Sequence, residues 1–288
     1  MSLKIIVLAK QVPDTRNVGK DAMKEDGTVN RAALPAIFNP EDLNALEQAL
    51  RLKDSHPNST VTILTMGPPR AADIIREGLF RGADGGYLLT DRIFAGADTL
   101  ATSYALHMAV KKVGRFDLII SGRQAIDGDT AQVGPQVAEK LGIPQITYAE
   151  EIQSVNDGKA TVKRRLEHGV EIVAGKLPLL ITVNGSAPAC RPRNAMLIQK
   201  YKHAQTASEA AAAQLGDLLN KRPFLKLGEW SATDVNADPQ QCGLSGSPTK
   251  VKKIENIVFQ AKESKAFDDS DGQIEELMVE LINNHTIG

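Results

Sequence analysis

Four short, continuously apolar runs occur in the first 121 residues, separated by stretches with helical periodicity. KIIVLA (residues 4–9), TVTILTMG (60–67), GYLLT (86–90) and DLIIS (117–121) have strand length and lack polar alternation. That is the pattern of strands covered on both faces. Strands regularly spaced by helices predict a doubly wound parallel α/β sheet. A further strand starts near Gln145.

The intervening helices carry their own start and stop signals. FNPEDLNALEQALRLKD has Asn39 at the N-cap, Pro40 at the first helical position, and Glu41 and Asp42 in the first turn. Leu43, Leu46 and Leu50 fall on one face. A second helix runs from about Ala71 to Arg81 and stops at Gly82. In ADTLATSYALHMAVKKVG, Asp98 caps a third helix, Leu100, Tyr104 and Met108 form an apolar stripe, and Gly114 ends it.

After residue 150 the pattern changes. Asp157-Gly158 and His168-Gly169 stand between alternating segments, which predicts antiparallel hairpins added to the sheet before the strand LPLLITV. Residues 185–205 read as an exposed basic loop, ASEAAAAQLGDLL as a helix, and the chain from Lys221 as irregular and poor in core. An amphipathic helix closes it at about 272–284. The expected division is a nucleotide-binding α/β domain with hairpins and loop over 1–205. Residues 206–288 form a C-terminal arm that packs on a partner.

Ligands of open α/β sheets bind outside the carboxyl ends of the strands. The fourth strand runs into SGRQAIDGDTAQVG, followed by a helix that closes on Gly142. With that helix starting near Ala131, the N–H groups of Ala131, Gln132, Val133 and Gly134 lie in its first turn, free to donate to a phosphate. Gly134 has no side chain to block close approach. Asp127 and Asp129 brace the loop, cap the helix or accept from ribose hydroxyls. The loop lacks GxGxxG and GxxxxGK[ST], so the spacing alone leaves two readings open: a nucleotide site, or an ordinary loop rich in turn residues. The SGGxDS pattern of ATP pyrophosphatases does not fit either, because Arg123 replaces its second glycine.

The net charge of −1 gives no basic field for nucleic acid or anionic lipid. The longest apolar run is too short to span a membrane, and the N-terminus lacks a signal-peptide apolar segment, so a cytoplasmic protein is expected. Cys190 and Cys242 are far apart, with no CxxC, and the five histidines are scattered. Neither a metal site nor a catalytic triad is predicted.

Several separated motifs occur together in order: VLAKQVPDT, NPEDLNALEQALRLKD, TILTMGPP, RGAD, GADTLATS, GRQAIDGDTAQVG, LPLLITV and GSPTKV. In these the chain resembles the β subunits of electron-transfer flavoproteins. The resemblance weakens after Val183 and over 205–245. It implies an adenine nucleotide α-hydrolase-like, Rossmann-like core, and a heterodimer with an α subunit that carries the redox FAD. The β subunit itself binds structural AMP or, in electron-bifurcating members, a second FAD.

Carried over by motif, the nucleotide contacts fall on Ala9, Asn39, Asp42, Met66 and the loop: Gly122, Arg123, Gln124, Ala125, Asp127, Gly128, Asp129, Thr130, Ala131, Gln132, Val133 and Gly134. Asp98, Thr99 and Thr102 lie in the stretch GADTLATS, which resembles bifurcating members, as DGDTAQVGP does, and favours FAD over AMP. Plain N-capping is the alternative for Asn39 and Asp98, helix surface for the two threonines, and a solvated side chain for Arg123. A bifurcating member takes a hydride from NADH and sends one electron to ferredoxin or flavodoxin. The other goes through the α subunit to an acyl-CoA or hydroxyacid dehydrogenase. Docking of that dehydrogenase falls on Met196, Leu197 and Ile198, ringed by Arg191, Arg193, Lys200 and Lys202. The rivals are an AMP-binding two-electron shuttle, a universal-stress-type nucleotide module and a free-standing oxidoreductase. The last has no residue cluster to supply its chemistry without a flavin.

Overall fold

A computed structural model describes residues 2–14, 35–249 and 264–287. The chain divides into two compact units, Met1–Lys252 and Lys253–Gly288. Of the motifs above, Thr15, Lys250 and Val251 lie outside the described residues.

The elements of the first unit are β1 (Lys4–Leu8), β2 (Gln11–Pro13), β3 (Ala36–Phe38), α1 (Pro40–Ser55), β4 (Thr60–Met66), α2 (Ala72–Leu79), β5 (Gly85–Leu89), α3 (Thr99–Val113), β6 (Leu118–Gly122), α4 (Val133–Leu141), β7 (Gln145–Asn156), β8 (Lys159–Leu166), β9 (Gly169–Lys176), β10 (Leu179–Val183), α5 (Ala195–Tyr201), α6 (Ala207–Ala212), α7 (Gly216–Lys221) and β11 (Gly228–Trp230). Nine strands form one sheet in the order β11-β5-β4-β1-β6-β10-β7-β8-β9. The run from β11 to β7 is parallel, and β8 and β9 add antiparallel hairpins. The doubly wound fold and its hairpins are those the sequence predicts. The winding runs outward from β1 through β4 to β5, then reverses to β6 on the other side of β1.

Both faces of the sheet are buried, which is why its central strands are apolar throughout. Ile5 and Val7 of β1 face α1 and α2, meeting Leu46, Leu50, Ile75 and Leu79. Ile6 and Leu8 face α3 and α4, meeting Leu106, Val110, Val137 and Ala138.

Several elements differ from the sequence reading, among them ASEAAAAQLGDLL, which forms two short helices, α6 and α7, rather than one. The buried face of α3 is Ala101, Ala105, Leu106, Ala109 and Val110, whereas Leu100 is exposed and Tyr104 and Met108 are half-buried. Small residues win the inner face because they let the helix approach the sheet closely. Residues Ala195–Tyr201 are helical rather than loop, since the Asn194 side chain at the N-cap accepts from the Met196 and Leu197 amides. The chain beyond Lys221 is less core-poor than it reads. Leu225, Leu227, Val235 and Cys242 are buried, and β11 extends the sheet past β5. There Trp230 stacks on Tyr87 with ring centroids 4.0 Å apart.

In the second unit, α8 (Asp271–Asn283) is a single helix with Ser270 at its N-cap position. Ile274, Met278 and Ile282, spaced four apart, are exposed along it.

Candidate crevice at the strand ends

The winding reverses at β1, so the crevice of this sheet lies between the carboxyl ends of β1, β4 and β6. The β2–β3 ribbon pairs Gln11 with Phe38 and thereby brings Asn39 beside the end of β1, where its amide donates to the Lys10 carbonyl at 3.0 Å. Asn39 holds the N-cap position of α1, but its side chain makes no cap bond there. It is fully buried and reaches across to the loop after β6: Nδ2 donates to the Gln124 carbonyl at 2.8 Å, and Oδ1 accepts from the Ile126 amide at 3.2 Å.

Asp42 holds the two strands themselves. Its Oδ2 accepts from the Lys10 amide at 2.8 Å and its Oδ1 from the Gly122 amide at 2.9 Å. Burial pushes this carboxyl up to about 7, against the pull of the Lys10 and Gly122 amides. Glu41 accepts from the Gln124 amide at 2.9 Å and stands 3.4 Å from Arg123 Nη2. The first turn of α1 is therefore committed to the strand ends and the loop.

The loop is tied at several further points. The Arg123 amide donates to the Val183 carbonyl at 2.8 Å. Ala125 O accepts from both Gly128 N and Asp129 N. Lys10 Nζ pairs with Asp127 at 2.8 Å, and Gln124 Nε2 donates to Asp129 at 3.0 Å. Neither aspartate caps α4, whose N-cap position is Gln132, with no side-chain cap bond. Helix α4 starts at Val133, not at Ala131, because Asp129 and Ala131 both have left-handed φ, 47° and 53°. The N–H groups that open the helix are thus those of Val133 and Gly134, and Pro135 has none. Gly128 and Thr130 are exposed.

Gly134 packs closely against the sheet. A methyl there would come 2.8 Å from Thr182 Cγ2 and 3.1 Å from Ser121 Oγ, inside the sheet. Gly134→Ala is expected to cost about 1–3 kcal/mol through overpacking, read as a lowered urea midpoint. Nucleotide loss at unchanged midpoint would favour the ligand-approach reading.

The α3 side completes the crevice. Asp98 accepts from the Leu100 and Ala101 amides as the N-cap, and from the Thr249 amide and hydroxyl. Its burial raises the carboxyl, but the Ala101 amide and the Thr249 donors outweigh this and hold it below the ordinary range. Thr99 Oγ1 donates to Gln132 Oε1 at 2.9 Å, which joins the starts of α3 and α4. Thr102 is half-buried in the first turn of α3. Ala9 is buried at the end of β1, and Met66 is half-buried at the end of β4 on the α3 face. Ser121 Oγ, Gln136 Oε1 and Arg123 Nε are buried here with no hydrogen-bond partner.

Of the predicted residues, those at the strand ends, in the loop and on α3 come together. Met196, Leu197 and Ile198 do not: they lie on α5, which Asn194 N ties to the Phe80 carbonyl just past α2. Leu197 packs against the main core, while Met196 is 81% exposed. Arg191 is not part of a free rim, because it is held by Glu47 at 3.0 Å and Asp54 at 2.9 Å.

Sequence reasoning missed Lys10, Glu41, Ser121, Gln136 and Tyr148 as residues of the crevice. Of these, Glu41 is read from the sequence only as a charge in the first turn of α1, and Lys10 and Ser121 only as neighbours of strand ends. Nothing in the sequence marks Tyr148, which has φ 58° at an irregularity in β7 and lies against the Arg123 guanidinium, 5.7 Å from ring centroid to Cζ.

These residues suit an adenine nucleotide. Buried polar groups without partners require a ligand or water to satisfy them. Two helix-start N–H groups and two cations suit phosphate, and Met66 offers apolar surface to a flat ring. Among the described residues no group of three His, Cys, Asp or Glu could hold a metal ion.

Residues 26–215 match the model of the electron transfer flavoprotein domain. The chain is 46% identical over 258 residues to the electron transfer flavoprotein subunit beta of Megasphaera elsdenii, covering 88% of this chain and 87% of that one. It is 42% identical over 251 residues to subunit CarD of the caffeyl-CoA reductase-Etf complex of Acetobacterium woodii, 86% of each. It is 39% identical over 297 residues to the acryloyl-CoA reductase electron transfer subunit gamma of Anaerotignum propionicum, covering 99% of this chain and all of that one.

Proposed function

This chain belongs to the electron transfer flavoprotein family as a β subunit, and from that premise we propose that it forms a heterodimer with an α subunit and binds FAD in the β1–β6 crevice. The complex oxidises NADH in the cytoplasm by flavin-based bifurcation. One branch delivers electrons to ferredoxin or flavodoxin, and the other to an acyl-CoA or hydroxyacid dehydrogenase. The observation that carries the site is the set of buried groups without a hydrogen-bond partner around the end of β6: Ser121 Oγ and Arg123 Nε, with Gln136 Oε1 in the first turn of α4. Relatives named as parts of caffeyl-CoA and acryloyl-CoA reductase systems support the CoA-ester branch.

A bound FAD supplies hydride acceptance and one-electron transfer. The chain's residues supply position and field. The Val133 and Gly134 amides and the Lys10 ammonium hold negative charge on phosphate. Arg123, fixed between Glu41 and Tyr148, stabilises an anion at the mouth of β6. Ser121 and Gln136 satisfy polar edges, while Ala9, Asn39, Asp42, Met66, Asp98, Thr99, Thr102 and the 122–134 loop shape the walls.

An α subunit would cover surfaces that this chain leaves apolar. Edge strand β9 exposes Val170 and Ile172, and α8 exposes Ile274, Met278 and Ile282. Among the described residues no helix is long and apolar enough to cross a membrane. The dehydrogenase docks on α5, with Met196 and Ile198 outward and Leu197 holding the helix down. The deciding experiment is the absorbance spectrum and chromatographic nucleotide content of the purified α/β complex. Two FAD per heterodimer are expected. One FAD and one AMP would sink bifurcation and leave a two-electron shuttle of the same family.

A further inference from the structure

Phe224 is 49% exposed, the one phenylalanine so placed among the described residues. Its exposure is built in. The neighbouring Leu225 is buried, and the segment is pinned from both sides of Gln205: Gln205 N donates to the Leu225 carbonyl at 2.9 Å, and Leu227 N to the Gln205 carbonyl at 2.8 Å. Turning Phe224 inward would break that arrangement. The ring meets Tyr201, the buried last residue of α5, edge-on, with centroids 6.2 Å apart. Lys200 Nζ stands over both rings, 4.7 Å from the Tyr201 centroid and 5.6 Å from that of Phe224. Met196 and Lys200 are four residues apart on α5 and so lie on one side of it. An exposed row therefore runs from Met196 through Lys200 to Phe224.

The segments that carry this row are basic in sequence, although Arg193 pairs with Glu77 at 3.6 Å and Arg76 holds Glu209 at 2.9 Å. No Asp or Glu occurs from residue 172 to 208 or from 218 to 228, whereas Arg193, Lys200, Lys202, Lys221, Arg222 and Lys226 are exposed. A rigid aromatic with an aliphatic neighbour inside a basic rim has the composition of a docking hot spot, and its complement is an apolar pocket with acidic edges.

We propose that Phe224, steadied by Lys200, is a second anchor beside Met196 for the acyl-CoA dehydrogenase, whose contacting surface is an apolar pocket with a carboxylate rim. This rests on the proposed docking at α5. The two anchors arise from segments far apart in sequence, and the Tyr201–Phe224 contact fixes their spacing.

The test measures binding of the α/β heterodimer to an immobilised acyl-CoA dehydrogenase that accepts its electrons, at two salt concentrations. Phe224→Ala is expected to raise Kd about tenfold or more, with nucleotide content and Tm close to the unmodified complex. Lys200→Glu is expected to raise Kd about tenfold at low salt and less at high salt. If Met196→Ala weakens binding while Phe224→Ala does not, the second anchor is overturned and docking at α5 stands. If neither weakens it, docking at α5 fails and takes this inference with it; if no acyl-CoA dehydrogenase binds, this inference is overturned while docking of a hydroxyacid dehydrogenase at α5 still stands. If Phe224→Ala lowers Tm by many degrees, Lys200→Glu decides, because it removes an exposed group: an unchanged Kd then overturns the proposal.

Discussion

A single methyl group at residue 122 is expected to cost the protein about 3 kcal/mol, at the upper end for overpacking of an interior, together with its bound nucleotide. The methyl of Gly122→Ala would come 2.5 Å from Asp42 Oδ1, 2.8 Å from Asp42 N and 2.8 Å from the Glu41 carbonyl carbon. Two of those atoms are backbone in the first turn of α1, so no side-chain rotation relieves the clash. Relief requires α1 to lift from β6, which parts Asp42 from the Gly122 amide and Glu41 from the Gln124 amide. A urea titration should show a lower midpoint with unchanged slope, and the purified complex should be depleted of nucleotide. Gly128→Ala is the control. Nothing lies within 4 Å of a methyl there, and a change within about 0.5 kcal/mol is expected. A Gly122→Ala protein as stable as the unmodified one would mean that α1 and β6 are not in contact as described.

Removing the Asp42 carboxyl is expected to have the next largest effect, and its consequence depends on pH. Asp42→Ala leaves the Lys10 and Gly122 amides without their acceptor, at about 1–3 kcal/mol for each buried donor. Asp42→Asn keeps one acceptor and turns an N–H donor towards the other amide, so it is also destabilising. The pH signature separates ionisation from contact. The folded-state pKa of about 7 lies above the ordinary 3.8, mainly through burial. Between those values the native protein keeps a proton that the unfolded chain has released. The stability this group contributes is therefore fully present in acid and is lost as pH rises from about 4 to 7. The loss is up to about 1.4 kcal/mol per pH unit. Asp42→Asn should lack that slope, so the stability difference between the two proteins should narrow as pH rises through this range. A constant difference would show that Asp42 titrates normally.

The parallel core was legible because burial on both faces leaves continuous apolar runs, and Ile5, Ile6, Val7 and Leu8 need one another's type whichever helix they meet. The hairpins were legible from Asp157-Gly158, where φ values of 51° and 72° demand such residues. The inner face of α3 was not. A hydrophobicity pattern favours Leu100 and Tyr104, but close packing on the sheet selected alanines. The crevice was half legible. Position at the strand ends pointed to Asn39 and Asp42, but which atoms they satisfy depends on the chain crossing from β1 to β6, and Asn39 bonds to residues 85 and 87 positions away. The helical form of Ala195–Tyr201 is readable from Asn194, a strong cap residue two positions before the apolar triplet.

The place of β10 has a consequence for synthesis. This strand enters the sheet between β6 and β7, pairing with both, and its last residue, Val183, receives the Arg123 amide. A ribosome that has delivered β1, α1, β4, α2, β5, α3 and β6 has made the strands β5, β4, β1 and β6, yet β6 is still an open edge. The loop that follows can already be held by Asn39, Glu41 and Lys10, but its tie to the sheet at Val183 must wait until some sixty further residues, including two hairpins, have emerged. During that interval the growing chain presents an unpaired apolar strand, the kind of surface that invites wrong partners. A chain cut off before Val183 would therefore lack more than its end: it would lack the middle of the sheet.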